Sequence, residues 1–373
     1  MALVSVMLPT FARNKDGLLR KAIESVLAQD MADLELFVLD DGSTDGTVDT
    51  VRQIAAADAR VKHIRFDVNI GLPALTTAYG FRESKGEYIA WQFDDCEWLP
   101  YHLSSLLAVS KAHPDAGVVY GQVSVHTPSG ERTFGLPFDR DTLQKSNLIP
   151  NCSTLIRRTV YETVGWVDPS VLLKRTNDYD LWVRASKQFD FVFLPKVVAV
   201  EKGQVLPDSL GNSVSVDWQL AQRYAAVNRN ERLLISNMDN WEPAKPEPWM
   251  VGEDLEAFAK IAIQHFVRIG HPEKAVEVAH SILPDVFGHK PKDTSLVHLA
   301  RVYQWHSQAI RADDQNRLFI QDNFIQEQRL HIDRQAELIT TLQAAQLAMP
   351  TLRAEVTPDR SFLRRLFGKP VRG

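Results

Sequence analysis

The sequence predicts an α/β protein with a mainly parallel, wound sheet in its N-terminal part and an all-α region after it. Short apolar segments alternate with segments of helical periodicity over residues 1–120. Such alternation favours parallel strands joined by right-handed connections. Beyond a proline-rich stretch at Trp241–Trp249 the periodicity is helical only. Two of the apolar segments end in acidic pairs, so carboxylates are expected at one edge of the sheet.

Composition indicates an ordinary globular protein. Its 373 residues are enough for two or three domains, and 45% of them are hydrophobic and 24% charged. A net charge of −5 argues against a general affinity for nucleic acid. Only two cysteines occur, Cys96 and Cys152, which favours a reducing compartment over a disulfide framework. Met1–Pro9 lacks a basic start and no apolar run reaches the roughly 18 residues of a membrane span, so we expect a cytoplasmic protein.

The first four strands are short apolar runs, and the helices between and after them carry apolar residues three and four apart. The predicted strands are Leu3–Leu8, Leu34–Leu39, Val61–Phe66 and Gly86–Phe93. The predicted helices contain Leu18–Leu27, Val48–Ala55, Pro73–Ser84 and Pro100–His113. The turn before the second helix, Asp41–Thr47, offers several side chains that can cap it.

The next hundred residues mix strands and helices less regularly. A hairpin is predicted around Pro128-Ser129-Gly130, because two alternating runs flank a turn sequence. The other predicted elements are strands at Cys152–Arg157 and Phe191–Val200 and helices at Asp180–Ser186 and Asp217–Met238.

We predict four regions along the chain: residues 1–240, a helical domain at 241–311, a long helix at 312–349 and a tail at 350–373. The helical domain is expected to contain helices at Glu253–Ile269, Pro272–Ile282 and Thr294–Arg311. These assignments follow from helical periodicity and from the prolines at the first boundary.

The long helix carries an apolar residue every seven positions, at Leu318, Ile325, Ile332 and Ile339. This spacing indicates a coiled coil and a homo-oligomer, although glutamines take the other core position; the alternative is one long helix packed on its own domain. The tail pairs Phe362, Leu363, Leu366 and Phe367 with arginines and a lysine. It is similar to a basic amphipathic anchor at the inner face of the cytoplasmic membrane; the alternative is a disordered tail.

Two acidic pairs carry the chemical argument. Asp94-Asp95 ends the apolar run that starts at Ile89, and Asp40-Asp41 ends the run Leu36–Leu39. Paired carboxylates suit a hard cation, Mg²⁺ or Mn²⁺, together with a phosphate-bearing substrate. The alternative for Asp40-Asp41 is a turn with a helix cap, and a structural cap also remains possible at Asp94-Asp95. Together the pairs predict a nucleotide-sugar site.

A third acidic cluster precedes a predicted helix at Asn177–Trp182, and Asp178 in it is a candidate general base. A carboxylate at a helix start is often only a cap, and the residues leave both roles open. Pro9-Thr10-Phe11 ends the first strand, where it would cradle a nucleobase, and Asp41 would accept a hydrogen bond from an imide N–H.

These motifs over residues 3–205 together resemble the family 2 inverting glycosyltransferases of the GT-A fold. The strongest match is Asp40–Thr47. The other matching segments are Val4–Thr10, Asn69–Leu72, Gly86–Ile89, Phe93–Asp95, Asn147–Asn151, Arg157-Arg158 and Asn177-Asp178.

The resemblance implies direct displacement at the anomeric carbon of a UDP-, dTDP- or GDP-sugar, with inversion. It implies that Asp178 is the catalytic base, Asp95 the metal ligand and Asp94 the ribose contact. It also implies that Asp41 contacts the nucleobase. Further nucleotide-sugar contacts are expected at Pro9, Thr10, Asn69, Gly71 and Lys202, and acceptor contacts at Asn151 and Trp182.

Three departures from the family pattern concern the diphosphate. Phe93 replaces the first acid of the usual D-x-D motif. The arginine that often follows Asn-x-Gly is absent, since Leu75, Thr76 and Thr77 stand there. Histidine does not follow Val200, so Lys202 is the remaining candidate for the phosphates.

The predicted function is a metal-dependent, inverting sugar transfer to a saccharide, lipid-linked or other acceptor in bacterial surface glycan synthesis. One alternative is a nucleotidyltransferase, which typically has a glycine-rich loop after its first strand; Phe11-Ala12-Arg13-Asn14 lacks that loop. The other is an inactive nucleotide-sugar-binding scaffold that oligomerises through its C-terminal helix, which Phe93 favours and the presence of Asp178 opposes.

Overall fold

One mixed β-sheet organises the part of the chain that this computed structural model describes, residues 2–127, 130–173, 176–203, 218–226, 234–242 and 245–282. Within those residues the sheet has nine strands in the order β3-β2-β1-β4-β8-β6-β9-β5, with β7 paired to β6. The strands are β1 (Val4–Thr10), β2 (Leu34–Asp40), β3 (Val61–Arg65), β4 (Tyr88–Trp91), β5 (Cys96–Trp98), β6 (Ala116–Thr127), β7 (Gly130–Phe134), β8 (Thr154–Arg157) and β9 (Asp190–Glu201).

Strands β3, β2, β1 and β4 are parallel, while β8 is antiparallel to both β4 and β6. The α-helices are α1 (Leu18–Leu27), α2 (Thr47–Ala57), α3 (Pro73–Glu83), α4 (His102–Ala112), α5 (Arg140–Leu143), α6 (Arg158–Val164), α7 (Asn177–Ala185), α8 (Trp218–Ala226), α9 (Glu253–Arg268) and α10 (Pro272–Ile282). Three 3₁₀ helices lie at Asn151–Ser153, Val171–Leu173 and Ile235–Asn240.

Helices cover both faces of the central strands, so these strands are apolar on both sides. In β1 the side chains alternate: Val4, Val6 and Leu8 join the cluster that includes α1, α2 and α4, whereas Met7 joins the cluster with α3, α6 and α7. All residues of β1 and β2 are buried. This double coverage explains why the sequence shows continuous apolar runs here instead of alternation.

The predicted α/β class with a wound, mainly parallel N-terminal sheet is confirmed. The two strands of the predicted hairpin are present as β6 and β7, and the predicted strand at Cys152–Arg157 starts with a 3₁₀ turn. The single long helix predicted at Asp217–Met238 is wrong in part. Its described residues form α8 and the 3₁₀ helix Ile235–Asn240, and the residues between them lie outside the described ranges. Helix α6 was not predicted, because its seven residues show too little periodicity.

The predicted helix pair after the proline-rich stretch is present as α9 and α10, which pack on each other. Helix α9 also lies against the 3₁₀ turn Val171–Leu173. The helix predicted at Thr294–Arg311, the heptad repeat and the basic tail lie outside the described residues, and the proposed region boundaries stay predictions. Among the helices described here, none is long and apolar enough to cross a membrane.

Candidate active site at the carboxyl edge of the sheet

Three parallel strands bring the first two acidic pairs to one edge of the sheet. Thr10 is in register with Asp40, and Met7 with Trp91, so β1, β2 and β4 end side by side. The N–H of Asp41 donates to the carbonyl of Thr10 at 2.9 Å. This is the edge at which open α/β sheets bind ligands.

Asp40 is a fully buried carboxylate that holds the turn after β2. Its Oδ1 accepts from the N–H of Ser43 at 2.9 Å, and its Oδ2 lies 3.6 Å from His63 Nε2 and 3.7 Å from Arg65 Nε. Burial acts to raise the pKa of Asp40, but the groups of His63 and Ser43 outweigh it and lower the pKa. Asp40 therefore carries the structural part of the motif.

Asp41 binds the loop that follows β3. Its two carboxylate oxygens accept from the N–H groups of Ile70 and Gly71, both at 2.8 Å. Gly42 has φ of 77°, and a Cβ there would lie 2.7 Å from the backbone carbon of Val68. The motif therefore positions Asn69 and Gly71, both predicted nucleotide contacts, directly beside Asp41.

The segment after β1 presents an aromatic ring and a buried cation to this edge. Phe11 is 46% exposed, and Ala12 has φ of 54° with its N–H donating to Ser43 Oγ at 2.9 Å. The guanidinium of Arg13 is 6% exposed and lies 3.9 Å from Asp94 Oδ1. Sequence reasoning missed Arg13 as a site residue, although a basic residue three positions after the end of a strand was visible.

Asp94 and Asp95 follow β4, and their charges interact. Asp94 is 17% exposed. Burial and the neighbouring Asp95 raise the pKa of Asp94 to about 7, against the opposing influence of Arg13, the Thr10 hydroxyl and the N–H of Phe11. A proton and a cation would therefore compete for Asp94 near neutral pH.

Lys202, for which a phosphate contact stays a prediction, lies next to the acid pair through its backbone. Its N–H donates to the carbonyl of Asp95 at 2.9 Å, which holds the end of β9 against the site. Its ammonium group pairs with Glu97 in a short contact. Lys202 is therefore close to the site while being engaged with a carboxylate.

The two cysteines connect the acid pair to the acceptor-side segment. The Cys152 thiol is a hydrogen-bonding neighbour of Cys96, and this contact together with burial raises the pKa of Cys96 well above its ordinary value. Trp98 Nε1 donates to the carbonyl of Cys152 at 2.9 Å. Asn151, a predicted acceptor contact, directly precedes Cys152, and its buried Oδ1 has no hydrogen-bond partner among the described residues.

Asp178 lies in the first turn of helix α7 and is only partly buried. Its Oδ1 accepts from the N–H of Tyr179 at 2.8 Å, and its Oδ2 accepts from Asn147 Nδ2 at 3.4 Å. Thus a single segment, 147–152, contacts Asp178 at one end and Cys96 at the other. The structure thereby connects the third acidic cluster to the Asp94-Asp95 edge.

Two neighbours of Asp178 on α7 belong to the interior. Asp180 bonds Arg184 at 2.8 Å, and the guanidinium of Arg184 donates to the carbonyls of Val164 and Trp166. Trp182 is fully buried and meets Phe191 edge to face at 6.4 Å. In this conformation Trp182 exposes no surface, and its acceptor contact stays a prediction.

The donor atoms at the edge suit a divalent cation that takes most of its ligands from substrate and water. Asp94 and Asp95 supply hard carboxylate oxygens, and Mg²⁺ is typically held by one or two carboxylates plus phosphates. Among the residues described here, no cluster of three or more His, Cys, Asp or Glu side chains forms a complete protein cage. The residues therefore fit a cation that arrives with a nucleotide.

Comparisons with known proteins agree with this geometry. Residues 5–165 match the family model described as glycosyl transferase family 2. The GalNAc(5)-diNAcBac-PP-undecaprenol beta-1,3-glucosyltransferase of Campylobacter jejuni is 29% identical over 198 residues, covering 51% of this chain and 62% of that protein. A putative colanic acid biosynthesis glycosyl transferase of Escherichia coli K12 is 29% identical over 195 residues, covering 49% and 65%. This chain spans less than two thirds of the length of both relatives.

A solved structure supports the fold. The crystal structure of S. aureus TarS 1-349 in complex with UDP-GlcNAc aligns with a TM-score of 0.50 at 14% identity, covering 88% of this chain and 92% of that chain. The GT-A fold expected from the sequence motifs is confirmed.

Proposed function

We propose that this chain, which belongs to glycosyl transferase family 2 through residues 5–165, transfers a sugar from a nucleotide-diphosphate sugar to an acceptor hydroxyl. The proposal depends most on one observation. Segment 147–152 connects Asp178 to the edge that carries Asp41 and Asp94-Asp95. A direct displacement requires the base and the donor to be held in one site, and this segment contacts both regions.

The donor nucleotide would bind between the exit of β1 and the loop at residues 66–71. The exposed ring of Phe11 offers a stacking surface, and Thr10 and Pro9 lie behind it at the end of β1. Asp41 would accept from a pyrimidine or purine imide N–H, with Asn69 and Gly71 positioned beside it by the bonds that Asp41 makes. Asp94, held near Arg13, would accept from a ribose hydroxyl.

Asp95 would hold Mg²⁺ or Mn²⁺, which neutralises charge on the diphosphate when bound. Lys202 would supply a second positive charge if the incoming phosphates displace Glu97 from it. Phe93, where the family usually has an acid, is partly buried and stacks on Trp91 at 6.4 Å. The cation would therefore depend on fewer protein oxygens than the usual motif provides.

Asp178 would act as the general base. Its carboxylate takes the proton from the acceptor hydroxyl while the hydroxyl oxygen forms a bond to the anomeric carbon. The bond from that carbon to the phosphate oxygen breaks on the opposite face, and the nucleoside diphosphate leaves with the bonding electron pair. The product has inverted configuration, and the proton remains on Asp178.

The relatives suggest the acceptor class. One is named for an undecaprenol-linked saccharide and the other for colanic acid biosynthesis. By analogy we propose a saccharide or lipid-linked acceptor in bacterial surface glycan synthesis, reached at the inner face of the cytoplasmic membrane. The heptad helix and the basic tail would supply self-association and membrane contact, which light scattering and liposome flotation of full-length and truncated chains would measure.

The first experiment identifies the donor. Thermal unfolding of the full chain with UDP-, dTDP- and GDP-sugars, each with and without Mn²⁺, should show one nucleotide that raises the midpoint only with the cation. The matching sugar should then be transferred by the wild type. Asp178→Asn should slow transfer by about a hundredfold or more with donor binding retained.

A different outcome would identify one of the alternatives. Cation-dependent donor binding with no transfer to any acceptor, and no donor hydrolysis, would favour an inactive nucleotide-sugar-binding scaffold. Release of pyrophosphate from a nucleoside triphosphate and a sugar phosphate would favour a nucleotidyltransferase. Either result would overturn the proposed sugar transfer.

A further inference from the structure

Both carboxylate oxygens of Asp178 accept a hydrogen bond from the chain. The N–H of Tyr179 donates to Oδ1 at 2.8 Å, and Asn147 Nδ2 donates to Oδ2 at 3.4 Å. The first bond is local to the helix start, whereas the second comes from a residue 31 positions earlier. Asn147 therefore provides a contact between a distant segment and Asp178.

The amide of Asn147 is itself oriented before it reaches Asp178. Its Oδ1 accepts from the N–H of Ile149 at 3.0 Å, which turns its NH₂ group toward the carboxylate. Leu148 and Ile149 are buried, and the carbonyl of Leu148 accepts from the N–H of Leu136 at 3.1 Å. Because this anchor is rigid, the donor to Asp178 has little freedom to lose when it binds.

A second bond ties the same segment to the same helix. The hydroxyl of Tyr179, a side chain only 1% exposed, donates to the carbonyl of Leu143 at 2.7 Å. Segment 143–149 thus meets the start of α7 at Leu143 and at Asn147. Together the two contacts hold the segment against the start of α7, which places Asn147 beside Asp178.

Helix α8 is hydrogen-bonded to the segment that carries Asn147 and to the stretch that precedes Asp178. Gln222 Nε2 donates to the carbonyl of Lys145 in a short contact, and the Tyr224 hydroxyl donates to Asp168 Oδ2 at 2.7 Å. Asp168 is fully buried and lies in the stretch that leads to α7. One helix therefore restrains the segment that carries Asn147 and the stretch that leads to Asp178.

We propose that Asn147 is a positioning residue that acts on sugar transfer through Asp178, an inference that rests on the proposed function. Its N–H bond orients the carboxylate that would take the proton of the acceptor hydroxyl. A base must lie within hydrogen-bond reach of its proton, so freedom of the carboxylate lowers the fraction of productive encounters. Asn147 does not itself touch the reacting atoms in this proposal.

The test uses the full chain with Asn147→Ala, Asp178→Asn and the double variant, and with Ser146→Ala as the matched control. Ser146 is an exposed neighbour outside the site. Asn147→Ala should lower kcat about tenfold, a part of what a general base contributes, and leave the affinity for the donor nucleotide unchanged. The double variant should be no slower than Asp178→Asn alone, because both changes act through one group.

Asn147→Asp provides a second variant, which keeps the side chain's shape but replaces the donor by an acid. It should lower kcat at least as much as Asn147→Ala, while the thermal midpoint stays near that of the control. Transfer that matches Ser146→Ala in both variants would overturn the positioning role while leaving the base assignment intact. Additive losses in the double variant would also overturn it, because they would show that Asn147 acts independently of Asp178.

Failure of the underlying function would look different. If Asp178→Asn transfers sugar at a near-normal rate, the base assignment itself falls, and the positioning role falls with it. If Asp178→Asn is slow and only the Asn147 variants are normal, the proposed function stands.

Discussion

The proposed nucleotide side, around Asp41, and the proposed general-base side, around Asp178, are built in different ways. On the nucleotide side, Asp40 and Asp41 bind backbone N–H groups of their own turn and of one loop. On the base side, Asp178 depends on Asn147, Tyr179 depends on Leu143, and α8 restrains both stretches. The first is a turn motif at the end of a strand, whereas the second is assembled by side chains from three separate parts of the chain.

This difference predicts which changes are felt locally. Both sides use contacts between residues 29 to 31 positions apart, since Asp41 accepts from Ile70 and Gly71 and Asp178 accepts from Asn147. The proposed base side is in addition bonded to α8, which donates to the carbonyl of Lys145 and to Asp168. Changes in α8 should therefore affect the base side and leave nucleotide affinity unchanged. Four substitutions test this contrast.

The largest effect is expected from Asp95→Ala. If Asp95 holds the cation, the variant should lose transfer and should lose the Mn²⁺-dependent part of nucleotide stabilisation while remaining folded. Thermal unfolding with nucleotide, with and without Mn²⁺, measures this. Asp115→Asn is a suitable control, because Asp115 is an exposed acid just before β6 and outside the proposed site. Unchanged Mn²⁺ dependence in Asp95→Ala would refute the assignment.

Asp41→Asn tests whether the nucleotide side depends on its carboxylate. An amide NH₂ cannot accept from both Ile70 and Gly71, so one buried N–H loses its partner at a cost of about 1–3 kcal/mol. Nucleotide affinity should fall about tenfold, and calorimetric titration measures it. The effect on the general base should be unchanged. The kcat ratio between Asp41→Asn and the double variant Asp41→Asn/Asp178→Asn should equal the ratio between wild type and Asp178→Asn. A variant with wild-type affinity would show that the loop holds without Asp41.

Asp94→Asn should separate stability from binding. The pKa of Asp94 in the folded protein, about 7, lies above its ordinary value of 3.8, so the metal-free fold binds an extra proton between these pH values. Stability from this group is full below pH 3.8 and is lost as pH rises to about 7. The variant should therefore be more stable than wild type at pH 8, by about 2–4 kcal/mol, and nearly equal at pH 4.

The same variant should bind nucleotide with Mn²⁺ more weakly, because it lacks one carboxylate. Denaturant unfolding at pH 4 and 8 and calorimetric titration measure the two effects. An equal difference in the free energy of unfolding between variant and wild type at pH 4 and pH 8 would refute this. It would show that the buried Asp94 carboxylate does not destabilise the metal-free fold.

The smallest effect is expected from Tyr224→Phe on α8. Removing the hydroxyl takes a donor from the buried carboxylate of Asp168, which should cost about 1–3 kcal/mol in the free energy of unfolding. Because α8 is bonded to the stretch that leads to Asp178, kcat should fall a few-fold while donor affinity is unchanged. Gln219→Ala, an exposed change on the same helix, serves as the control. A fall in donor affinity without a change in kcat would reverse the comparison.

Sequence reasoning reached the nucleotide side more completely than the base side. The strands that end at Thr10, Asp40 and Trp91 were visible as apolar runs, and their parallel arrangement follows from the helices between them. Arg13 was missed because nothing local indicates that its side chain returns to Asp94. Asn147 was recognised only as part of a matching segment, since its partner lies 31 residues away. Trp182 was assigned to an acceptor contact, and burial against Phe191 was not foreseen.

The sequence by itself determined the α/β class, the edge at which the acids gather and the resemblance of residues 5–165 to glycosyl transferase family 2, because periodicity and turn chemistry act over a few neighbours. The tertiary structure decided which carboxylates are structural and which stay accessible. Asp40 accepts from the N–H of Ser43 and Asp180 accepts from Arg184, whereas Asp94 lies beside Asp95. Such outcomes depend on burial and on partners brought close by packing, and sequence spacing encodes neither.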